Sequence, residues 1–320
     1  MFLFEETMRN KIWELINRLN YIIIGKNDVI EKIIAAILSG GNILLEDMPG
    51  VGKTILSKAI ARLLSDDLGN PIHFSRIQGT PDLLPYDITG VDIYNPQTNE
   101  FTFHQGPVFT DILLADELNR ATPKVQSALL EAMAERQVTV GGKTYPLSPY
   151  FTLIATQNPI ETEGTYPLPV AQLDRFTASF KIGYPDRLWE TEILKAGKSE
   201  NKLHQLQPVI TTSDIETIRK TVHDITFSED LIAVLTAIAE RTRKLKDLKS
   251  GLSTRALLSM IDISKSYAYI KDRGYVTDQD IIELSTSVFA HRLIPANPQI
   301  NICDLINRIT REEIRKVIRI

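Results

Sequence analysis

Asp47-Met48-Pro49-Gly50-Val51-Gly52-Lys53-Thr54 is the stretch that decides how this chain folds. A loop that holds phosphate needs consecutive backbone N–H groups turned inward, a helix N-terminus behind them, a lysine for the β- and γ-phosphates and a hydroxyl for Mg2+. Gly50, Gly52, Lys53 and Thr54 meet those demands. The strict pattern asks for glycine at the position of Asp47, so every fixed position except the first is matched. The alternative is a glycine-rich turn capping an ordinary helix. It is disfavoured because the short apolar run Ile43-Leu44-Leu45 precedes the loop and helical spacing from Ile55 to Leu64 follows it.

Outward from the loop, the same two signals alternate. Met8, Ile12, Leu15, Ile16 and Leu19 repeat at helical spacing, and Val29, Ile30, Ile33, Ile34, Ile37 and Leu38 do so again before Gly40-Gly41. Buried-strand candidates follow at Ile72 to Ile77, Asp111 to Ala115, Phe151 to Ala155 and Ala178 to Ile182. This alternation predicts an α/β doubly wound core over residues 1–185. Two hairpins interrupt it: Gly90 to Pro96 with Glu100 to His104, and Gln137 to Val140 with Lys143 to Leu147 around Gly141-Gly142. Beyond Gly183-Tyr184-Pro185 strand signals fade. Helical stretches near Arg187 to Ala196, Glu229 to Leu245, Thr254 to Ile270, Asp278 to Arg292 and Ile302 to Ile318 predict an all-helical second domain over 186–320.

Composition agrees with a two-domain globular chain. Its 320 residues exceed the usual single-domain size, and 43% hydrophobic with 24% charged residues are values of an ordinary soluble protein rather than a disordered or membrane one. A net charge of −4 gives no global attraction to nucleic acid. Cys303 is the only cysteine, which excludes an intramolecular disulfide and thiolate metal clusters. Met1-Phe2-Leu3-Phe4-Glu5-Glu6 is acidic where a signal peptide is basic, and the runs Tyr21 to Ile24 and Ile33 to Leu38 are too short to span a bilayer. A cytoplasmic location without membrane insertion is expected.

Phosphate chemistry needs a carboxylate for the metal and a group that orients the attacking water. Asp116-Glu117, ending the apolar run Ile112-Leu113-Leu114-Ala115, supplies both: Asp116 for Mg2+ through water, Glu117 as general base. Asn158 in Thr156-Gln157-Asn158-Pro159 falls beside the γ-phosphate if its strand lies between the other two; a turn residue before proline is the alternative. Arg175 and Arg255 read locally only as surface or salt-bridge arginines.

In this order the segments resemble the MoxR family of AAA+ ATPases over nearly the whole chain. The resemblance rests on Leu45 to Thr54, Asp116-Glu117-Leu118-Asn119-Arg120-Ala121, Val125 to Met133, Ala155 to Pro159, Gly164-Thr165-Tyr166-Pro167-Leu168-Pro169, Ala171 to Phe176 and Gly183-Tyr184-Pro185-Asp186. An acidic residue at the Asp47 position is similar to what the family carries. The resemblance implies a P-loop fold with a five-stranded parallel sheet and a helical lid, and a ring, usually a hexamer, with ATP or ADP and Mg2+ at each interface. Ile24 and Gly25 would then lie near the adenine, Asp47 to Thr54 and Leu56 around the nucleotide, and Thr54 and Asp116 on the metal. It makes Asn158 sensor 1, Arg175 the arginine finger and Arg255 the sensor 2 arginine, and it turns the hairpins toward the ring's pore or a partner. It implies a chaperone-like role on protein clients, von Willebrand factor A domain proteins among them. Gly79 departs from the family, where a larger and often aromatic residue is usual, and Thr254 stands where proline usually precedes sensor 2. Two other readings stay open: a nucleotide-dependent binding switch with little turnover, and a motor on nucleic acid. Val91 to Gln105, without a lysine or arginine, weighs against the second.

Overall fold

The structure, a computed structural model, describes residues 2–161, 163–197 and 199–318; Met1, the first residue of the acidic N-terminal stretch, lies outside them. Two helices come first, α1 (Phe2–Ile22) and α2 (Asn27–Leu38). The spacing of Met8, Ile12, Leu15, Ile16 and Leu19 puts all five on the buried face of α1. Each such Leu or Ile contributes about 1.5–3 kcal/mol on burial, so the stripe holds α1 in place more than helix propensity does.

β1 (Ile43–Glu46) leads through the loop into α3 (Lys53–Arg62), followed by β2 (Leu64–Ser65), β3 (Phe74–Gln78) and α4 (Pro85–Thr89). The first hairpin, β4 (Gly90–Asn95) and β5 (Glu100–Gln105), precedes β6 (Ile112–Asp116) and α5 (Pro123–Glu135). The second, β7 (Gln137–Val140) and β8 (Lys143–Pro146), precedes β9 (Thr152–Gln157), α6 (Val170–Leu173) and β10 (Ala178–Phe180). Five strands form one parallel sheet in the order β10-β1-β9-β6-β3. Ile43 and Leu45 enter the apolar cluster shared with α1 to α3, whereas Leu44 enters the one beneath α5. Helices therefore cover both faces, which is why the strands read as continuous apolar runs.

The two hairpins touch. Phe103 of β5 stacks on Tyr145 of β8 with ring centroids 4.2 Å and planes 18° apart, and Phe109 stands edge-on to both. Beyond the stack, Phe101 near the tip of the first hairpin is 70% exposed.

The remaining elements are α7 (Arg187–Ala196), α8 (Ser199–Leu203), β11 (Ile210–Thr211), α9 (Thr212–His223), α10 (Glu229–Lys244), β12 (Leu248–Ser250), α11 (Thr254–Ile270), α12 (Asp278–Phe289), β13 (Ile294–Pro295) and α13 (Ile302–Ile318). Asp186, Thr211, Ser228, Ser253 and Thr277 cap α7, α9, α10, α11 and α12 by accepting backbone N–H bonds in the first turn. α10 to α13 pack together, with α11 against α2 and α12 against β10, so the apolar cluster of the core continues into them.

Two local expectations change. The helix after the loop ends at Arg62, because Leu64 and Ser65 pair in parallel with Ile210 and Thr211. α9, unread in the sequence, forms behind the Thr211 and Asp214 capping box and buries Ile215, Ile218 and Val222.

Candidate nucleotide site

β1 lies between β9 and β10, and the loop leaves its C-terminal end, the place where open parallel sheets bind ligands. Gly52, the N-cap of α3, has φ +91°, and Gly50 has φ +85°. A side chain in that left-handed region costs roughly 1–2 kcal/mol, so the turn requires glycine here. Lys53 Nζ folds over the loop and donates to the Asp47 carbonyl oxygen at 2.6 Å. Burial pushes the Lys53 ammonium below its ordinary pKa against the opposing pull of Asp47, Asp116 and Glu117.

The acidic pair stands at the end of β6. The Asp116 carboxylate accepts from Thr156 Oγ1 at 2.7 Å on Oδ1 and from Thr54 Oγ1 at 3.2 Å on Oδ2. Arg76 of β3 donates to the same Oδ2 through Nη2 at 2.7 Å and Nε at 3.2 Å. Burial would raise the Asp116 carboxyl, but the bonds from Thr156 and Arg76 hold it below the usual carboxylate range. Glu117 adopts φ +52°, rare for a residue with a side chain, and its N–H donates to Thr156 Oγ1 at 2.9 Å. Its carboxylate accepts from Gln78 Nε2 at 2.8 Å and lies 3.3 Å from Arg120 Nε.

Thr54 and Asp116 offer a hydroxyl and a carboxylate oxygen, hard donors brought together from two elements, with a guanidinium already on the carboxylate. This set fits Mg2+, which takes one or two protein oxygens and keeps several waters. Among the described residues no group of three or more His, Cys, Asp and Glu converges, and a two-oxygen Mg2+ site requires none.

β9 lies between β1 and β6, the condition set for Asn158. There the Asn158 Oδ1 accepts from Ile160 N at 3.2 Å, its Nδ2 donates to Glu161 Oε2 at 3.4 Å, and its carbonyl accepts from Asn119 Nδ2 at 3.3 Å.

Beside the loop opens a cleft of about 330 Å³ lined by Ile22, Ile24, Val51, Ile55, Tyr184 and Ile193, among others. The Trp189 ring of α7 lies against Gly25, and Lys26 Nζ donates to the Tyr184 carbonyl at 2.8 Å. Leu56 is buried in the core behind the loop, whereas its neighbour Ile55 faces the cleft; the helical turn rotates the two apart.

Residues 42–178 match the family described as ATPase family associated with various cellular activities (AAA), and residues 240–315 match the AAA lid domain. Chaperone MoxR1 of Mycobacterium tuberculosis is 41% identical over 283 residues, 85% of this chain and 73% of that protein. The chain belongs to the MoxR family of AAA+ ATPases. Another relative of this MoxR-family chain, protein YeaC of Bacillus subtilis, is 40% identical over 291 residues, covering 91% of this chain and 89% of YeaC. A solved structure from Cytophaga hutchinsonii, of a protein to which ATPase activity is ascribed, superposes with a TM-score of 0.85 at 37% identity over 96% of this chain and 95% of that one.

In this MoxR-family chain the Asp47 side chain is buried against the segment after β10. Its buried carboxylate accepts the backbone N–H groups of Ile182 and of Gly183, the latter at 3.1 Å, and so ties the loop to the segment after β10. Asp47 is thus a structural anchor of the loop, and only its carbonyl meets Lys53. Arg175 Nη1 donates to the Leu130 carbonyl of α5 at 2.9 Å. Arg255 lies 3.6 Å from Asp174, which also accepts from Ser253 Oγ at 2.7 Å and pairs with the buried Arg292 at 3.2 Å. Neither of the two arginines singled out in the sequence is among the residues that line the cleft.

Gly79 has a local reason. Its N–H donates to the Asp116 carbonyl at 2.7 Å, and a Cβ there would overlap the Glu117 carbonyl oxygen and lie 2.9 Å from its carbon. Thr254 occupies the first turn of α11, where proline is merely well tolerated and the Ser253 cap already fixes the start. Arg76, Gln78, Thr156 and Trp189 escaped the sequence reading. Arg76 and Gln78 alternate with the buried Ile77 on an edge strand, a weak sign that both project toward one face.

Proposed function

We propose that this chain hydrolyses ATP, bound through Asp47 to Thr54 with Ile24 and Gly25 near the base, and uses the cycle to remodel or activate partner proteins. The observation that carries the reading is the meeting of Thr54 with Asp116 at 3.2 Å, beside Lys53 and Glu117. Those are the groups that phosphoryl transfer to water demands. Lys53 holds the β- and γ-phosphates and Glu117 takes the proton of the attacking water as ADP leaves. Asn158 orients that water. Thr54 and Asp116 would hold Mg2+, which when bound would supply neutralisation of charge on the phosphates.

The ring, a hexamer on this reading, supplies Arg175 to a neighbour's γ-phosphate. That requires release from the Leu130 carbonyl, and Arg255 must likewise leave Asp174 to act as sensor 2. A core over 1–185 and a lid over 186–320 would then move together with the hairpins. The exposed Phe101 supports a partner-facing first hairpin, with protein clients that include von Willebrand factor A domain proteins. Work on soluble clients in the cytoplasm follows from this reading.

Glu117→Gln tests it. The variant is expected to bind ATP at wild-type affinity while phosphate release falls at least about a hundredfold, the scale of a positioned base. Undiminished phosphate release would remove Glu117 from the chemistry.

A further inference from the structure

Arg76 projects from the edge strand β3 onto the metal-binding end of β6. Three donors crowd Asp116 Oδ2: Arg76 Nη2 at 2.7 Å, Arg76 Nε at 3.2 Å and Thr54 Oγ1 at 3.2 Å. Oδ2 is therefore the oxygen turned toward the hydroxyl that would share the metal, and a guanidinium already occupies it. Among the described residues Arg76 is the cation in ion-pair contact with Asp116. The two partners differ in freedom. The Asp116 side chain is 10% exposed and gripped on its other oxygen by Thr156, whereas the Arg76 side chain is 44% exposed and has solvent to swing into.

We propose that Arg76 is the resident counter-cation of Asp116, displaced from Oδ2 when metal-bound nucleotide enters, and that it thereby sets how strongly nucleotide affinity depends on Mg2+. The inference rests on the nucleotide reading above. A carboxylate this buried is costly to leave uncompensated, so Asp116 needs a positive partner whenever no metal is bound to it. Arginine suits the task because Nε and Nη2 engage the oxygen side by side, a geometry that lysine lacks. When the metal arrives, two cations compete for one oxygen, and the mobile one yields. Part of the metal's attraction for Asp116 is thereby offset by the pair it breaks, and metal-free nucleotide binds a site that is already neutral.

The experiment measures the Kd of a non-hydrolysable ATP analogue by titration calorimetry, once with excess EDTA and once with Mg2+, and takes the ratio of the two. Arg76→Met keeps the aliphatic stem and removes the charge. Its ratio is expected to rise about tenfold over wild type, or about 1.4 kcal/mol, mainly through tighter binding with Mg2+. Arg76→Lys, which retains one cation at a single contact, is expected to rise about threefold, and its result stands alone if Arg76→Met does not fold. An unchanged or lowered ratio overturns the proposal, since a residue that merely orients Asp116 for the metal lowers the ratio when lost. Wild type that binds no analogue in either medium overturns both this proposal and the reading it rests on. Binding with flat ratios overturns this proposal alone.

Discussion

Replacing Asp47 with glycine restores the first position of the strict phosphate-loop pattern, yet the structure predicts that it weakens the protein. Asp47 is 7% exposed, its carboxylate accepts the N–H groups of Ile182 and Gly183, and its φ is not among the positive values that call for glycine. Asp47→Ala leaves two backbone donors without an acceptor where little water enters. At roughly 1–3 kcal/mol for each orphaned donor, the loss is about 3 kcal/mol in total. Asp47→Gly adds roughly 0.4–1 kcal/mol through the greater freedom of the unfolded chain, and Asp47→Asn, which keeps one acceptor oxygen, costs about 1–2 kcal/mol. Thermal unfolding followed by circular dichroism should give the order wild type, Asn, Ala, Gly. The Ala midpoint should lie about 6 °C below wild type, at roughly 2 °C for each kcal/mol in a chain of this size. A glycine variant as stable as wild type would refute the anchoring argument.

Gly79→Ala forces a Cβ against the Glu117 carbonyl, so ATP turnover should fall more than about tenfold with nucleotide affinity kept, as measured by phosphate release beside calorimetric binding. His291 is buried, and burial together with the Arg292 charge pushes its pKa down to about 3. Below pH 6.5 the unfolded chain therefore takes up a proton that the folded one refuses, and stability is lost from there toward pH 3. At pH 5 this amounts to about 2 kcal/mol, and denaturant titrations at pH 7.5 and 5 should show that loss shrink in His291→Gln. Mixing Arg175→Ala subunits with Lys53→Ala subunits should recover part of the ATPase rate, because some interfaces then pair an intact arginine with an intact loop. A rate that stays flat across mixing ratios counts against action in trans.

The α/β core was legible because buried parallel strands leave continuous apolar runs, and β1, β6 and β9 carry them. β2 and β11 were not, since two-residue strands have no periodicity and are held by partners far along the chain. At the site, Lys53, Thr54 and Asp116 announced themselves through fixed local spacing. Arg76 and Thr156 did not, because their role exists only through strand register, which brings β3 and β9 to either side of β6. Gly79 looked like a departure from pattern until the backbone of Glu117 was seen against it. The tie of the Asp47 side chain to Ile182 and Gly183 was likewise illegible, because sequence gives a residue's place along a loop and not the direction of its side chain.

The stack of Phe103 on Tyr145 carries a consequence for inheritance and engineering. Such a pair is worth about 0.5–1.5 kcal/mol beyond the area it buries, and it joins two hairpins that the chain encodes on either side of α5. A chimera that takes the first hairpin from a relative and keeps the second from this chain sets a foreign residue on Tyr145 and loses that coupling. The two hairpins are therefore one transplantable module written in two separate passages, and substitutions at either ring are expected to be answered at the other.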